Sequence, residues 1–248
     1  MTARVPAVVV LAQADSTMDV LHDLAQGGAP AGTTVVAEEQ VNARGSRGQR
    51  WISPPGGLWL SVLLRPDPAG FELTGLRAAL AVAEALDGAG LAGLVRLKWP
   101  NDLMLHERKA GGILCEARWH GTDLAWVAVG LGLNVNNPPP AELATLATHL
   151  STAQPSLTAA DLISPVVEAL RTIDGAGGPL THDERDRYGR RDWLRGRRLQ
   201  GPLAGTAVGI GADGALLVRR ADGETSAVRA GTVVLAGPGF PADLSSCS

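Results

Sequence analysis

The stretch Val95-Arg96-Leu97-Lys98-Trp99-Pro100-Asn101-Asp102 decides the fold. Apolar and polar residues alternate from Val95 to Trp99, the period-two pattern of a half-buried strand, and Pro100 ends it. Leu103–Leu105 follows at once, then a charged turn at His106-Glu107-Arg108, a run over 112–119, a Gly121-Thr122-Asp123 turn and a run over 124–135. Connections this short join antiparallel neighbours, so the spacing predicts a meander. In that meander Lys98 lies on the face opposite Val95, Leu97 and Trp99, and Lys109 opens the strand that returns beside Asp102. Lys98, Asn101, Asp102 and Lys109 therefore converge at one strand end.

Upstream, Val5–Ala12 reads as a strand, and Asp15-Ser16-Thr17 opens a helix with Met18, Leu21 and Ala25 at helical spacing. Thr34–Ala37 is a short β-rich run. Residues 42–57 hold four glycines, two prolines and three arginines without periodicity, which reads as a long loop. A strand at Leu58–Leu64 and an amphipathic helix over about 72–88 complete the approach to the meander. Downstream, residues 138–158 are irregular, and helices are expected at Leu162–Ile173 and Asp183–Leu194. From Gly196, short strands at about 206–210, 215–220, 225–229 and 232–236 are punctuated by Asp213-Gly214 and Asp222-Gly223, both hairpin signals. The expectation is an α+β chain: a mixed, largely antiparallel sheet with helices over 1–195, a small β-barrel over 196–237, and a disordered tail over 238–248.

The 248 residues carry a net charge of −3, so no global positive field points to nucleic acid. Cys115 and Cys247 are the only cysteines, which excludes a disulfide framework and a cysteine zinc site and fits a reducing cytoplasm. The apolar run at Val5–Ala12 is too short to span a bilayer and reads as having no basic n-region before it and no small-residue cleavage site behind it. A soluble, cytoplasmic protein is expected. Of 22 basic residues only Lys98 and Lys109 are lysine. Arginine serves wherever a generic cation is wanted, so these two positions point to a need for the compact ammonium itself.

Three segments have the make-up of a site. The loop Arg44-Gly-Ser-Arg47-Gly-Gln-Arg50-Trp51 offers backbone N–H groups and forked guanidinium donors suited to phosphate or carboxylate. It lacks the ending of a P-loop, and a solvated basic loop or an RNA-binding arginine–glycine patch has the same composition. Trp51 favours a lid over an apolar ligand. The second segment is Lys98–Asp102 with Lys109, where two ammoniums beside one carboxylate suit a negatively charged reacting group or a metal–phosphate. Gly111 and Gly112 in strand context suggest close approach of a ligand, although a surface ion-pair cluster has the same residues. The third, Gly130-Leu-Gly132-Leu-Asn134, offers a small-residue floor and an amide. Ser16 with Asp19 resembles a capping box, and a ligand contact from the same helix start stays open, as it does for Gln40. The five histidines show no metal-ligand spacing, and no Gly-x-Ser-x-Gly elbow occurs.

The succession Asp15-Ser16-Thr17, Arg44-Gly-Ser-Arg-Gly-x-x-Trp51, Lys98-Trp-Pro-Asn-Asp102, Lys109-x-x-Gly-Ile-Leu and Gly130-x-Gly-x-Asn134 strongly resembles the biotin–protein ligases, over residues 10 to 136. In the loop, Ala43 stands where the family often has glycine and Ser46 where it has an arginine. The resemblance implies a class II synthetase-like core and an SH3-like end domain. It implies formation of biotinyl-5′-AMP from biotin and Mg2+-ATP, then transfer of biotin to a lysine of a biotin carboxyl carrier domain. It further implies that Ser16, Thr17 and Gln40 bind the ureido head, with Gly111 and Gly112 beside the biotin. Arg44 and Arg47 would hold carboxylate and phosphates, and Trp51 would cover the adenylate. Lys109 would bridge the carboxylate and the α-phosphate. Lys98, Asn101, Gly132 and Asn134 would serve the nucleotide, and Asp102 would bind metal or orient the incoming lysine. No helix-turn-helix precedes the core, so DNA binding is not expected. A lipoate or octanoyl ligase or transferase of the same superfamily is the alternative, and a non-enzymatic RNA-binding module a distant one.

Overall fold

The computed structural model describes residues 5–237. The expected tail over 238–248 lies outside them. Twelve strands and four α-helices are laid down in the order β1 (Val8–Ala14), α1 (Thr17–Gln26), β2 (Thr34–Gln40), β3 (Leu58–Leu64), α2 (Thr74–Leu86), β4 (Val95–Lys98), β5 (Asp102–Leu105), β6 (Arg108–His120), β7 (Asp123–Leu133), α3 (Ala159–Arg171), α4 (His182–Arg191), and then β8 (Arg198–Gly201), β9 (Gly205–Ile210), β10 (Leu216–Arg219), β11 (Thr225–Val228) and β12 (Val234–Leu235).

The first seven strands form one sheet in the order β1-β2-β3-β7-β6-β5-β4. Only β1 and β2 run parallel, because α1 carries the chain back between them. The other neighbours are antiparallel, and β4 to β7 are the expected meander. The sheet is covered on both faces. Leu58, Leu60, Val62 and Leu64 of β3 join Val127, Val129, Leu131 and Leu133 of β7 in a core shared with α2, α3 and α4. The alternate residues Leu63, Trp126 and Ala128 face α1 through Met18, Leu21 and Ala25. The alternation of each strand thus assigns one set of side chains to each core.

The C-terminal strands form a separate antiparallel sheet in the order β11-β10-β9-β8-β12. β8 escapes the sequence reading: Arg-Leu-Gln-Gly has one apolar residue, Leu199, and so no legible alternation. The Asp-Gly turns stand where expected, with Gly214 and Gly223 at positive φ of 74° and 88°. The indole N–H of Trp99, at the end of β4, donates to the Gly214 carbonyl at 2.9 Å and so ties the two sheets together.

Candidate active site

On the α1 side of the sheet the side chains shrink toward one end. β7 presents Trp126, Ala128, Gly130 and Gly132 in turn. Filling those glycines would not be neutral: a Cβ at Gly130 would meet the Met18 sulfur at 2.9 Å, and one at Gly132 would meet the Trp51 ring at 2.6 Å. The void this leaves is a cavity, open at its mouth, floored by Ser61, Gly112, Gly130 and Gly132 and roofed by Ala43 to Ser46 and Trp51. Its inner end is polar. Ser16 caps α1 by accepting from the Met18 N–H at 3.3 Å, which leaves its own hydroxyl proton free to be donated. The Gln40 Oε1 accepts from the Thr17 N–H at 2.8 Å and from its hydroxyl at 3.1 Å. Because an amide oxygen only accepts, Thr17 gives its proton to Gln40 and takes one from the Ser61 hydroxyl, 2.8 Å away. The cavity end therefore offers a donor from Ser16 and lone pairs from Ser61, side by side.

At the other end Lys109 Nζ lies 2.8 Å from Asp102 Oδ1, and Lys98 Nζ lies 3.6 Å from Oδ2. All three are buried. Burial lowers the Lys98 pKa, the Lys109 charge adds to that, and Asp102 opposes it. Lys109 also sits 5.1 Å from the centre of the Trp51 ring, within cation–π range. The Asn101 side chain donates to the Ile113 carbonyl at 2.8 Å and pins β6 to the β4–β5 turn.

Two further cavities open from this point. One is lined by Trp51, Ile52, Asn134, Asn137, Pro138 and Lys109 among others. The other runs between the sheets, past Arg47, Lys98, Asp102 and Lys109 to Arg229 and Thr232. Lys109 lines all three.

The glycine loop is a small hairpin. Trp51 N–H donates to the Ala43 carbonyl at 2.9 Å and Gly45 N–H to the Gln49 carbonyl at 2.7 Å. Its tip turns at Arg47 and Gly48, with φ of 61° and 73°. The Arg47 guanidinium hydrogen-bonds Thr232 of the C-terminal region. At the base, Arg44 Nε donates to Glu116 Oε1 at 2.8 Å, and Nη2 donates to Asp19 Oδ1 at 2.7 Å. These carboxylates raise the arginine pKa further.

Several expectations need correction. Arg44 lines the roofed cavity, and its guanidinium is paired with Glu116 and Asp19. Arg47 belongs to the inter-sheet cavity and not to the roofed one. The Ser16–Asp19 capping box does not form, because Asp19 is drawn to Arg44. Gly111 faces the opposite core, where a Cβ would meet the Gly132 carbonyl at 2.7 Å and Leu133 at 2.8 Å. Only Gly112 reaches the cavity, since neighbouring strand residues point oppositely. The Asn134 amide is engaged by the Thr148 carbonyl and the Asn137 amide, at 3.1 and 3.0 Å, although the residue lines the second cavity. Asp102 does not fit a metal: two ammoniums oppose a cation there, and among the described residues no group of three His, Cys, Asp or Glu gathers to hold one. Cys115 is no nucleophile, its thiol pushed up to about 12 by burial. Among the described residues no helix is long and apolar enough to cross a membrane. Sequence reading missed Ser61, Glu116 and His22. Only Glu116 left a trace, as the single acidic residue of β6.

Residues 10–134 match the model of the biotin/lipoate A/B protein ligase family, and residues 195–236 match that of the biotin protein ligase C-terminal domain. The chain is 35% identical over 227 residues to the bifunctional ligase/repressor BirA of Bacillus subtilis, covering 84% of this chain and 68% of that protein. It is 38% identical over 135 residues to the biotin–[acetyl-CoA-carboxylase] ligase of Paracoccus denitrificans, 53% of this chain and 56% of that one. The fold is similar to a biotin protein ligase from Aquifex aeolicus in complex with biotin and ATP (TM-score 0.75, 26% identity, 92% of this chain and 98% of that chain). It is also similar to the Leishmania major enzyme in complex with biotinyl-5-AMP (TM-score 0.59, 28% identity, 92% of this chain and 100% of that chain).

Proposed function

Because the chain belongs to the biotin/lipoate A/B protein ligase family and is an enzyme of the biotin–protein ligase kind, we propose that it joins biotin to ATP as biotinyl-5′-AMP and then passes biotin to a lysine of a carboxyl carrier domain. One observation carries this reading: Lys109 stands where three cavities meet. A two-step acyl transfer needs such a junction. The nucleotide's α-phosphorus must reach the acid's carboxylate oxygen, and the acceptor amine must then reach the same group's carbon, from three directions in all.

The roofed cavity suits the vitamin. A cyclic urea has one carbonyl and two N–H groups, and the Ser16 donor beside the Ser61 lone pairs matches that pattern, with Thr17 and Gln40 as the frame that orients them. The apolar walls, Met18 and Leu114 with the Trp51 ring, suit the thiophane ring and the valeryl chain. The carboxylate then ends near the Lys109 ammonium. As it attacks the α-phosphorus, two anions are brought together, and a fixed ammonium in a dry site lowers that cost. Pyrophosphate leaves, and the acyl–phosphate is a mixed anhydride that water would destroy. The Trp51 indole and the hairpin keep it dry. The second cavity, beside Asn134 and the prolines from Pro138, suits the nucleotide. The inter-sheet cavity suits the acceptor lysine: its amine, oriented by Asp102, gives up its proton, attacks the acyl carbon as the neutral base and releases AMP, with residues 196–237 as the outer wall. Magnesium enters, on this reading, as part of the nucleotide substrate, and no step depends on a protein metal site. A reducing cytoplasm is the compartment this reading assumes.

The test is ATP–pyrophosphate exchange with the purified chain, driven by biotin or by lipoate. Exchange with biotin alone supports the reading. Exchange with lipoate alone moves the chain to the lipoate branch of the family, and exchange with neither removes the adenylation step.

A further inference from the structure

Glu116 lies outside the cavity, yet its surroundings are built with care. Its carboxylate is four-fifths buried on β6 and accepts from His22 Nε2 at 3.0 Å, from Arg44 Nε and Nη2 at 2.8 and 3.3 Å, and from Arg118 Nη2 at 3.2 Å. His22 is buried in α1 and is itself fixed: the Trp126 indole N–H donates to its Nδ1 at 3.0 Å. An indole nitrogen only donates, so Nδ1 is the bare nitrogen, and Nε2 carries the proton that goes to Glu116. These bonds, the one from His22 first, hold the Glu116 pKa well below the usual carboxylate range. A largely buried carboxylate with this donor set stays ionised and gives Arg44 a fixed counter-charge at a fixed point on the sheet.

Arg44 pairs across the hairpin opposite Arg50, next to Trp51, whose N–H donates to the Ala43 carbonyl. Setting the Arg44 side chain therefore sets the plane of the hairpin and the height of Trp51 above Gly132 and Lys109. We propose that Glu116, oriented by His22, is a positioning residue that seats the glycine hairpin over the cavity through Arg44, and so sets biotin affinity without touching the substrate. This rests on the reading that the roofed cavity takes biotin.

A double-mutant cycle between Glu116 and Arg44 in the full chain tests it. Glu116→Ala and Arg44→Ala should each raise the biotin KM in pyrophosphate exchange at least about tenfold, since misplacing a roof is costly, while kcat of Glu116→Ala at saturating biotin stays within threefold. The double variant should be no worse than about threefold beyond either single one, because both remove the same latch. Glu116→Gln, which keeps one oxygen for Arg44, should fall between wild type and Glu116→Ala. Effects that multiply in the double variant overturn the proposal. So does an unchanged KM accompanied only by a lower melting temperature, which is what a merely structural residue would give. Protease cleavage within 42–54 gives a readout that needs no substrate: it should be faster in both single variants and no faster in the double. If the wild type shows no biotin-dependent exchange, the ligase reading falls, and this cleavage pattern alone decides whether the latch exists. Cleavage at the wild-type rate in Glu116→Ala overturns it.

Discussion

The floor and the roof of the cavity are made by different means. The floor is sheet: Gly112, Gly130 and Gly132 are held by ladder hydrogen bonds on both sides, and Lys109 is fixed by the register that brings β5 and β6 together. The roof is a hairpin with two ladder-like bonds of its own, anchored by backbone bonds at Gln40 to Asn42 and tied beyond them by side chains, Arg44 near the base and Arg47 at the tip. A floor of this kind is rigid whether or not a ligand is present, whereas the roof is only as firm as its tethers. The chemistry is assigned to the floor and the exclusion of water to the roof.

The sharpest way to break that division is to damage the floor without touching the roof. Lys109→Ala should cost about 10²–10³ in the rate of adenylation, the scale of removing one preorganised donor. Adenylation within threefold of wild type would mean that the floor does not carry the chemistry. Next comes a floor change that acts on the roof. A methyl at Gly132 meets the Trp51 ring at 2.6 Å and must lift it, so Gly132→Ala should lower kcat/KM for biotin by about tenfold. Gly75→Ala is its control, because a Cβ there meets only the Cys115 sulfur at 3.7 Å, and activity should be unchanged.

The third prediction sharpens the roof's side of the comparison. Backbone bonds at Gln40 to Asn42 and the Arg44 and Arg47 side chains hold the hairpin at its base and tip, so biotin and ATP together should slow protease cleavage within 42–54 severalfold by adding ligand contacts in between. Equal cleavage with and without them would make the roof as rigid as the floor. The smallest effect is in acid. Glu116 holds its proton less tightly in the folded chain than when unfolded, so as pH falls the unfolded chain binds it first. The resulting stability is whole above about pH 4.5 and is lost as pH falls toward the folded value. Glu116→Gln has no such contribution, so the melting temperatures of the two proteins should converge below about pH 4.5. A gap that stays constant across that range would remove Glu116 as a fixed charge.

The same contrast explains what the sequence disclosed. The meander was readable because alternation and short turns are local signals, and the gathering of Lys98, Asp102 and Lys109 follows from them by register alone. The scarcity of lysine marked the two floor cations without any geometry. The roof's tethers were not readable. Arg44 meets a glutamate 72 residues away, and Arg47 meets Thr232 at a separation of 185, distances at which composition carries no information. Gly111 and Gly112 could not be told apart, because which of two successive strand residues faces the ligand depends on a register shift opposite them, between Leu103 and Met104. Asp19 looked like a capping partner because the capping rule is local, and a nearby guanidinium won the competition.

The central claim is that the Lys109 ammonium sits where carboxylate, phosphate and acceptor amine meet, and a crystal structure of the chain with biotinyl-5′-AMP bound tests it most directly. The account expects Lys109 Nζ within about 3 Å of an oxygen on each side of the acyl–phosphate bond, a charge-assisted distance. Lys109 still paired with Asp102 and turned from the adenylate into the inter-sheet cavity would contradict it.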